Sequence, residues 1–218
     1  MIKAAIFDLD GTLLDTMNDL LTAMNRMLRE LGFKERTYDE LLMFINRGAR
    51  MFVGRSLPEG SITSFDDPLV DRALAVYARH YKECCLDTTH PFEGVPEAVA
   101  ALRAAGIKVG VLSNKQDAFV KETIAKLYPG AFDSVHGQLD LPEKPDPAPA
   151  LAVAAELGAA PEECAFIGDS DIDIKTGVNA GMLPVGVTWG YRSEQCLLDA
   201  GAKLIVHRPD ELFPALTK

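Results

Sequence analysis

The sequence predicts an α/β fold, an open doubly wound parallel sheet with a separate helical domain inserted near its start. Short apolar runs of strand length recur along the chain, and amphipathic helical repeats lie between most of them. One interval between two runs is about a hundred residues long, whereas a strand–helix–strand unit needs only about 30. The 218 residues are enough for one core and a smaller companion domain.

Six apolar runs have the length and composition of buried parallel strands, which are apolar throughout because helices cover both faces of the sheet. They comprise residues 4–7, 107–112, 131–135, 165–167, 183–187 and 204–206. Most of them alternate with helical patterns, as a parallel sheet with crossover helices requires.

Three of the intervals contain apolar residues at spacings of four and three, which places those residues on one face of a helix. A glycine or proline that can end a helix follows each repeat. The repeats are Val95, Val99 and Leu102; Val120, Ile124 and Leu127; and Ala150, Ala154 and Leu157.

The long interval after the first strand is predicted to be a small helical bundle. Thr16 and Asp19 have the spacing of a capping box, and an apolar helical repeat follows them. A second repeat follows Asp67 and Pro68, a pair typical of a helix start. We therefore predict a core of residues 1–15 and 88–218 and a helical domain of residues 16–87.

The overall charge argues against polyanionic partners. The formal net charge is −10 and the isoelectric point is about 4.9, so the average field repels nucleic acid and anionic membrane surfaces. We therefore expect no nucleic-acid partner and no membrane partner, and an anionic substrate needs a local cationic site. Both a monomer and a homodimer remain compatible with the sequence.

The cysteines and the N-terminus predict a cytoplasmic protein. Cys84, Cys85, Cys164 and Cys196 show no CxxC pairing, and two of them are adjacent, which suits neither a disulfide framework nor a zinc site. The first apolar run is shorter than a signal core, and no stretch approaches the ~20 apolar residues of a membrane span. We therefore expect reduced thiols and a cytoplasmic location.

Polar residues cluster where the predicted strands end. In open α/β sheets, ligands bind beyond the carboxyl ends of the strands. Asp8 and Asp10 follow the first run, and Asp169 and Asp173 follow the fourth. Carboxylates a few ångströms apart raise one another's pKa unless a cation is present. Because carboxylate oxygens are ligands for hard cations, the sequence predicts a Mg²⁺ site.

Four segments occur in order along the chain: DLDGT at 8–12, Ser113 after the second run, Lys144 before the fourth, and GDSDID at 168–173. With these motifs the sequence resembles, over essentially its whole length, the haloacid dehalogenase superfamily, and within it phosphoglycolate phosphatase-like hydrolases with a helical cap. The resemblance implies a Rossmann-like core, a cap formed by the insert, and a Mg²⁺-dependent phosphatase of a small phosphorylated metabolite. The best candidate for that metabolite is 2-phosphoglycolate.

The resemblance also implies roles for the acids. Asp8 is expected to attack phosphorus and form an aspartyl-phosphate, and Asp10 is expected to act as general acid and then as general base. Asp169 is expected to bind Mg²⁺ together with the Asp8 side chain and the Asp10 main-chain carbonyl. Asp173 is expected to support these ligands. Thr12 is expected to orient Asp10 and to contribute to phosphate binding.

The remaining residues of these motifs are expected to hold the phosphoryl group. Ser113 is expected to donate a hydrogen bond to a phosphoryl oxygen, and Asn114 is also expected to contribute to phosphate binding. Lys144 is expected to offset negative charge on the phosphoryl group and on Asp8. Ser113 also suits a helix N-cap ahead of Asp117. Considered without the other motifs, Lys144 is interpreted as a solvated loop lysine.

The insert contains two candidate substrate-selecting residues, Arg47 and then Arg50, in a glycine-containing segment. The guanidinium fork of arginine pairs with a carboxylate such as that of 2-phosphoglycolate. A charged surface turn explains the same segment equally well.

Several other functions are compatible with the motifs. A pyrophosphatase, a nucleotidase, a sugar-phosphate phosphatase and a sugar-phosphate mutase share the family. A dehalogenase or phosphonatase is disfavoured, because such relatives lack an acid equivalent to Asp10. An alternative from another class is a non-catalytic phosphate sensor, which needs neither a nucleophile nor an acid.

Overall fold

A computed structural model describes residues 1–217 and divides the chain into two compact units. One unit consists of Met1–Asp15 and the chain from Pro91 onward, and the other is Thr16–His90. The insert therefore returns to the core later than the predicted residue 87. The physical reason is that the Asp19 carboxylate accepts hydrogen bonds from the main-chain N–H groups of Thr88 (3.0 Å) and Thr89 (2.9 Å), which ties both residues to the insert.

The core unit contains a six-stranded sheet in which every strand pair is parallel, as predicted. The strands of the chain are β1 (Ala4–Phe7), β2 (Leu14–Asp15), β3 (His90–Pro91), β4 (Lys108–Gln116), β5 (Ser134–Gln138), β6 (Cys164–Gly168), β7 (Leu183–Val187) and β8 (Leu204–Val206). The order in the large sheet is β5-β4-β1-β6-β7-β8. This confirms the open parallel sheet.

Three strands differ from their predicted bounds. β6 extends one residue beyond the predicted 165–167 at each end. β4 runs to Gln116, beyond the apolar run that ends at Leu112. β5 begins at Ser134 and not at Ala131, because the Ala131 N–H donates to the Tyr128 carbonyl in a turn. An apolar run therefore does not fix the hydrogen-bonded length of a strand.

Helices cover both faces of the sheet. They are α5 (Val95–Ala104), α6 (Asp117–Leu127), α7 (Ala148–Glu156), α8 (Asp171–Asn179), α9 (Glu194–Asp199) and α10 (Leu212–Leu216), with 3₁₀ turns at Pro161–Glu163 and Pro209–Glu211. Alternate residues of β1 join two apolar clusters. Phe7 packs in the cluster that contains Val95, and Ile6 packs in the cluster that contains Val153. Fully burying a side chain of this size contributes roughly 1.5–3 kcal/mol.

The insert unit is helical, with α1 (Met17–Glu30), α2 (Tyr38–Leu42), α3 (Gly48–Ser56) and α4 (Pro68–Cys84). α4 packs against α1 and α3. Asp67 caps α4, as predicted, by accepting the Leu69 N–H. Thr16 makes no side-chain capping bond, so the predicted capping box is wrong, since the Asp19 carboxylate binds Thr88 and Thr89 instead.

The helices of residues 1–217 are all too short or too polar to cross a membrane.

Candidate active site

The central strands of the sheet bring the predicted motif residues together. β4, β1 and β6 are neighbours and run parallel, so their carboxyl ends lie at one edge. Asp8 follows β1, Ser113 lies near the end of β4, and Asp169 follows β6. The Asp8 N–H donates to the Ile167 carbonyl at 2.9 Å, which fixes the first loop against the end of β6.

The turn after β1 depends on Gly11. Its φ is +87°, a left-handed conformation that L side chains rarely adopt. A Cβ atom at this position would lie 2.6 Å from Asp169 Cγ. Glycine therefore permits both the turn and the close approach of the two acidic loops.

Lys144 links two of the acids. Its Nζ donates to Asp8 Oδ1 at 2.8 Å and to Asp173 Oδ1 at 2.6 Å, and all three side chains are buried. Burial acts to lower the pKa of Lys144, but the charges of Asp173 and Asp8 outweigh it and raise the pKa above its ordinary value. Lys144 is therefore a protonated lysine in a buried ion-pair network and not a solvated loop residue.

Both oxygens of the Asp173 carboxylate accept hydrogen bonds. One carboxylate oxygen accepts from Lys144, and the other accepts from the main-chain N–H of Ser170 (3.2 Å) and from its hydroxyl (2.5 Å). These contacts agree with a supporting role, because they fix Lys144 next to Asp8.

Asp8 and Asp169 are buried acids with perturbed ionisation. Burial, followed by the charge of Asp173, raises the pKa of Asp8 to about 7 against the opposing effect of Lys144. Burial and the charges of Asp173 and Asp8 raise the pKa of Asp169 well above its usual range. A nearby cation would reverse these shifts by stabilising the charged carboxylates.

The acids fit a divalent metal ion. Asp8, Asp169 and Asp173 each present an oxygen, and these oxygens lie within 4.8 Å of one another. Asp173 binds the Lys144 ammonium through one oxygen and accepts two hydrogen bonds from Ser170 on the other. Asp169 accepts one uncharged donor on each oxygen, and Lys144 contacts Oδ1 of Asp8, so Asp8 and Asp169 are the better ligand candidates. Carboxylates in this arrangement suit a hard cation.

Thr12 lies beside Asp169. Its hydroxyl donates to Asp169 Oδ1 at 3.1 Å. The expected contact was with Asp10, and the structure instead connects the DLDGT loop to the acid of the fourth motif. Thr12 is therefore placed to orient a candidate metal ligand.

Ser113 and Asn114 lie within β4 and differ in their contacts. Ser113 does not cap α6, whose N-cap is Gln116. Its hydroxyl accepts the Lys115 N–H at 3.3 Å. The Asn114 amide donates to the Lys144 carbonyl (3.0 Å) and accepts the Lys144 N–H (2.9 Å), so Asn114 holds the main chain that carries Lys144.

Two features of the site were not assigned a role from the sequence. Lys115 Nζ donates to Asp10 Oδ1 at 2.6 Å. After β7, the Tyr191 N–H donates to Asp169 Oδ2 at 2.8 Å, and the Trp189 indole N–H donates to the Thr12 carbonyl at 3.0 Å. The signal for this segment in the sequence is its place just after the fifth apolar run, 183–187.

The arginine candidates belong to the insert unit. Arg47 is the N-cap residue of α3 and is partly exposed. The guanidinium of Arg50 donates to the Phe65 carbonyl (2.9 Å) and to Asp71 (2.7 Å). These contacts give Arg50 a structural role within the insert.

Several proteins are similar to this chain over nearly its whole length. A phosphoglycolate phosphatase from Nitrosospira multiformis is 36% identical over 208 residues, which cover 94% of this chain and 91% of the relative. An N-acetylmuramic acid 6-phosphate phosphatase from Pseudomonas aeruginosa is 32% identical over 223 residues, which cover 100% of this chain and 96% of the relative. A Lactobacillus delbrueckii subsp. bulgaricus protein, provisionally named a phosphoglycolate phosphatase, has a crystal structure with a TM-score of 0.90 and 33% identity, covering 98% of each chain.

The family model for haloacid dehalogenase-like hydrolases matches residues 5–187. That range includes the insert and all four motifs. The chain therefore belongs to the haloacid dehalogenase-like hydrolase family.

Proposed function

We propose that this protein is a Mg²⁺-dependent phosphatase that removes phosphate from a small metabolite through an aspartyl-phosphate on Asp8, with 2-phosphoglycolate as the preferred substrate. The observation that carries the proposal is the buried network in which Lys144 bridges Asp8 and Asp173 beside Asp169. A phosphate-binding sensor would need the cation and the lysine, but not a nucleophile paired with the acid Asp10.

The reaction has two displacement steps. The Asp8 carboxylate attacks phosphorus while Asp10 gives its proton to the ester oxygen, so the P–O bond breaks and the alcohol leaves. A water molecule then attacks the phosphoryl group and gives a proton to Asp10, which releases phosphate and restores Asp8. When bound by Asp8, Asp169 and the Asp10 carbonyl, Mg²⁺ supplies positive charge to the phosphoryl oxygens.

Two further groups support the phosphoryl oxygens. Lys144 remains protonated and offsets the negative charge that develops beside Asp8. The Ser113 hydroxyl accepts the Lys115 N–H and has no acceptor of its own among residues 1–217, so its proton is available to a phosphoryl oxygen. Asn114 contributes through Lys144, because both of its polar groups bind the Lys144 main chain.

The choice of substrate rests on the relatives and on the insert. The two curated relatives described above are named for phosphate esters of carboxylic acids. Recognition of a carboxylate favours an arginine. We keep Arg47 as the first candidate for this role and Arg50 as the second, because both lie in the glycine-containing segment at 46–50.

A panel of phosphate esters tests the proposal. We expect kcat/KM to be highest for 2-phosphoglycolate, lower for N-acetylmuramic acid 6-phosphate, and lowest for glycerol phosphate, which lacks a carboxylate. Each assay is run with and without Mg²⁺, and Asp8→Asn protein prepared in parallel measures contaminating phosphatase. Equal activity of wild type and Asp8→Asn on every ester would overturn the proposed function, whereas a preference for another ester would correct only the substrate.

The proposal also includes a cytoplasmic location and a monomeric or homodimeric state. No disulfide joins the cysteines among residues 1–217, which agrees with a reducing compartment. Gel filtration with light scattering distinguishes the two oligomeric states.

A further inference from the structure

The chain returns to the candidate metal ligands after β7, in the segment Trp189–Tyr191. β7 lies beside β6, the strand that ends at Asp169. The Tyr191 main-chain N–H donates to Asp169 Oδ2 at 2.8 Å, while the Thr12 hydroxyl donates to Oδ1 at 3.1 Å. Each oxygen of this fully buried carboxylate is thus held by one donor, which fixes the plane of the carboxylate.

The same segment also holds the second donor. The indole N–H of Trp189 donates to the Thr12 carbonyl at 3.0 Å. Tyr191 is anchored in turn by its hydroxyl, which donates to Asp15 Oδ1 at 3.1 Å. The position of Asp169 therefore depends on the segment directly, through Tyr191, and indirectly, through Thr12.

Gly190 explains how the segment can come so close. A Cβ atom at this position would lie 2.6 Å from Asp169 Cγ and closer still to the Gly11 carbonyl oxygen. Real Cβ atoms do not make such contacts, so any side chain at 190 would displace either the DLDGT loop or the Asp169 side chain.

We propose that Trp189–Tyr191 is a positioning segment for the divalent cation, which sets cation affinity by fixing the carboxylate of Asp169. The inference rests on the proposed function, since it assumes that Asp169 is a metal ligand. Groups that hold metal ligands in this way typically change affinity by about 10–100-fold when they are altered.

Isothermal titration calorimetry with MgCl₂, in the absence of substrate, tests the segment. We expect Gly190→Ala to weaken Mg²⁺ binding about 10–100-fold and Trp189→Phe, which removes the indole N–H but keeps an aromatic ring, to weaken it roughly 2–10-fold. In turnover assays the apparent KM for Mg²⁺ should rise, and saturating Mg²⁺ should restore most of kcat. A change in stability alone would not raise the apparent KM for Mg²⁺ while leaving most of kcat at saturating Mg²⁺.

Gly186→Ala is the matched control. Gly186 lies in β7, where a new Cβ would meet the side chains of Ile205 (2.9 Å) and Leu197 (3.0 Å) and not a carboxylate. It should lower the melting temperature without changing the Mg²⁺ affinity. If Gly190→Ala and Trp189→Phe both bind Mg²⁺ within twofold of wild type, the inference is overturned while the proposed function stands. If wild type itself binds no Mg²⁺, both the inference and the proposed function are overturned. If Gly190→Ala does not fold, Trp189→Phe decides the question alone.

Discussion

Ion pairs in the two units of this protein differ in their exposure to solvent. In the core, the side chains of Lys144 and Asp8 are 3% and 5% exposed. In the insert, those of Arg50 and Asp71 are 40% and 61% exposed, although the N···O distance is nearly the same, 2.7 against 2.8 Å. Water screens the second pair and not the first, so similar geometry leads to different energetic roles.

We therefore expect substitution of Lys144 or of the acids that it binds to change both turnover and stability strongly. Substitution of the exposed Arg50 or Asp71 should change stability only weakly. Lys144 compensates the charges of the buried acids, and removing it leaves Asp8 and Asp173 without a cation. If either Arg50 or Asp71 is removed, water can hydrate the partner that is left.

Asp10→Asn is expected to lower turnover strongly without changing the Mg²⁺ affinity. The amide cannot give a proton to the leaving group or accept one from water, so kcat should fall about 10²–10⁴-fold. Because the main-chain carbonyl is unchanged, the Mg²⁺ affinity should remain close to that of wild type. Calorimetry checks the affinity, and a loss of affinity as large as the loss of kcat would contradict the assigned role.

Lys144→Met and Arg50→Met test the comparison itself. Removing the lysine leaves Asp8 and Asp173 buried without their cation, which should lower the free energy of unfolding by about 3–5 kcal/mol. Removing the arginine should cost less than about 1 kcal/mol. Urea denaturation in Mg²⁺-free buffer measures both, and equal losses would show that exposure does not separate the two pairs.

Arg47→Ala is expected to act on substrate binding. A charge-assisted pair with a carboxylate is worth about 1.5–3 kcal/mol, so KM for 2-phosphoglycolate should rise roughly 10–100-fold. KM for an aryl phosphate without a carboxylate should hardly change, and Arg50→Ala is the control. Equal effects on both substrates would return Arg47 to the role of a surface residue.

The Mg²⁺ affinity is expected to depend on pH in a defined direction. Burial first and the charge of Asp173 second raise the pKa of Asp8 to about 7, so below pH 7 Mg²⁺ must displace a proton. The affinity should therefore rise as pH increases from 6 to 8, by about tenfold per unit below pH 7 for the Asp8 proton. Burial also raises the pKa of Asp169, and its proton acts in the same direction. Calorimetry in two buffers of different ionisation enthalpy measures the protons released. An affinity that is independent of pH would show that Asp8 is already ionised.

The sequence was sufficient to predict that the acids following two apolar runs meet at one edge of the sheet. Asp8 and Asp169 come at the ends of β1 and β6, and a parallel sheet brings such ends to one edge. These two acids are far apart in the chain, yet the order of the strands places them together. The fold and the acidic cluster were predictable for the same reason.

Residues that act through the main chain were not predictable in this way. Tyr191 binds Asp169 through an N–H that every residue except proline has, and Gly190 acts by having no side chain. Asn114 was assigned to phosphate from its place in a motif, whereas its amide binds the Lys144 main chain. Such roles depend on where distant loops meet, which residue type does not specify.

The most direct test of the aspartyl-phosphate mechanism is mass spectrometry of acid-quenched protein. Asp10→Asn should accumulate the intermediate from an aryl phosphate, because that leaving group needs no acid whereas release of the phosphoryl group needs the base. We predict the mass of one added phosphoryl group, located on the peptide that contains Asp8 and absent from the double variant Asp8→Asn, Asp10→Asn. Steady turnover of the aryl phosphate by Asp10→Asn with no adduct, or an adduct that persists in the double variant, would contradict a covalent intermediate on Asp8.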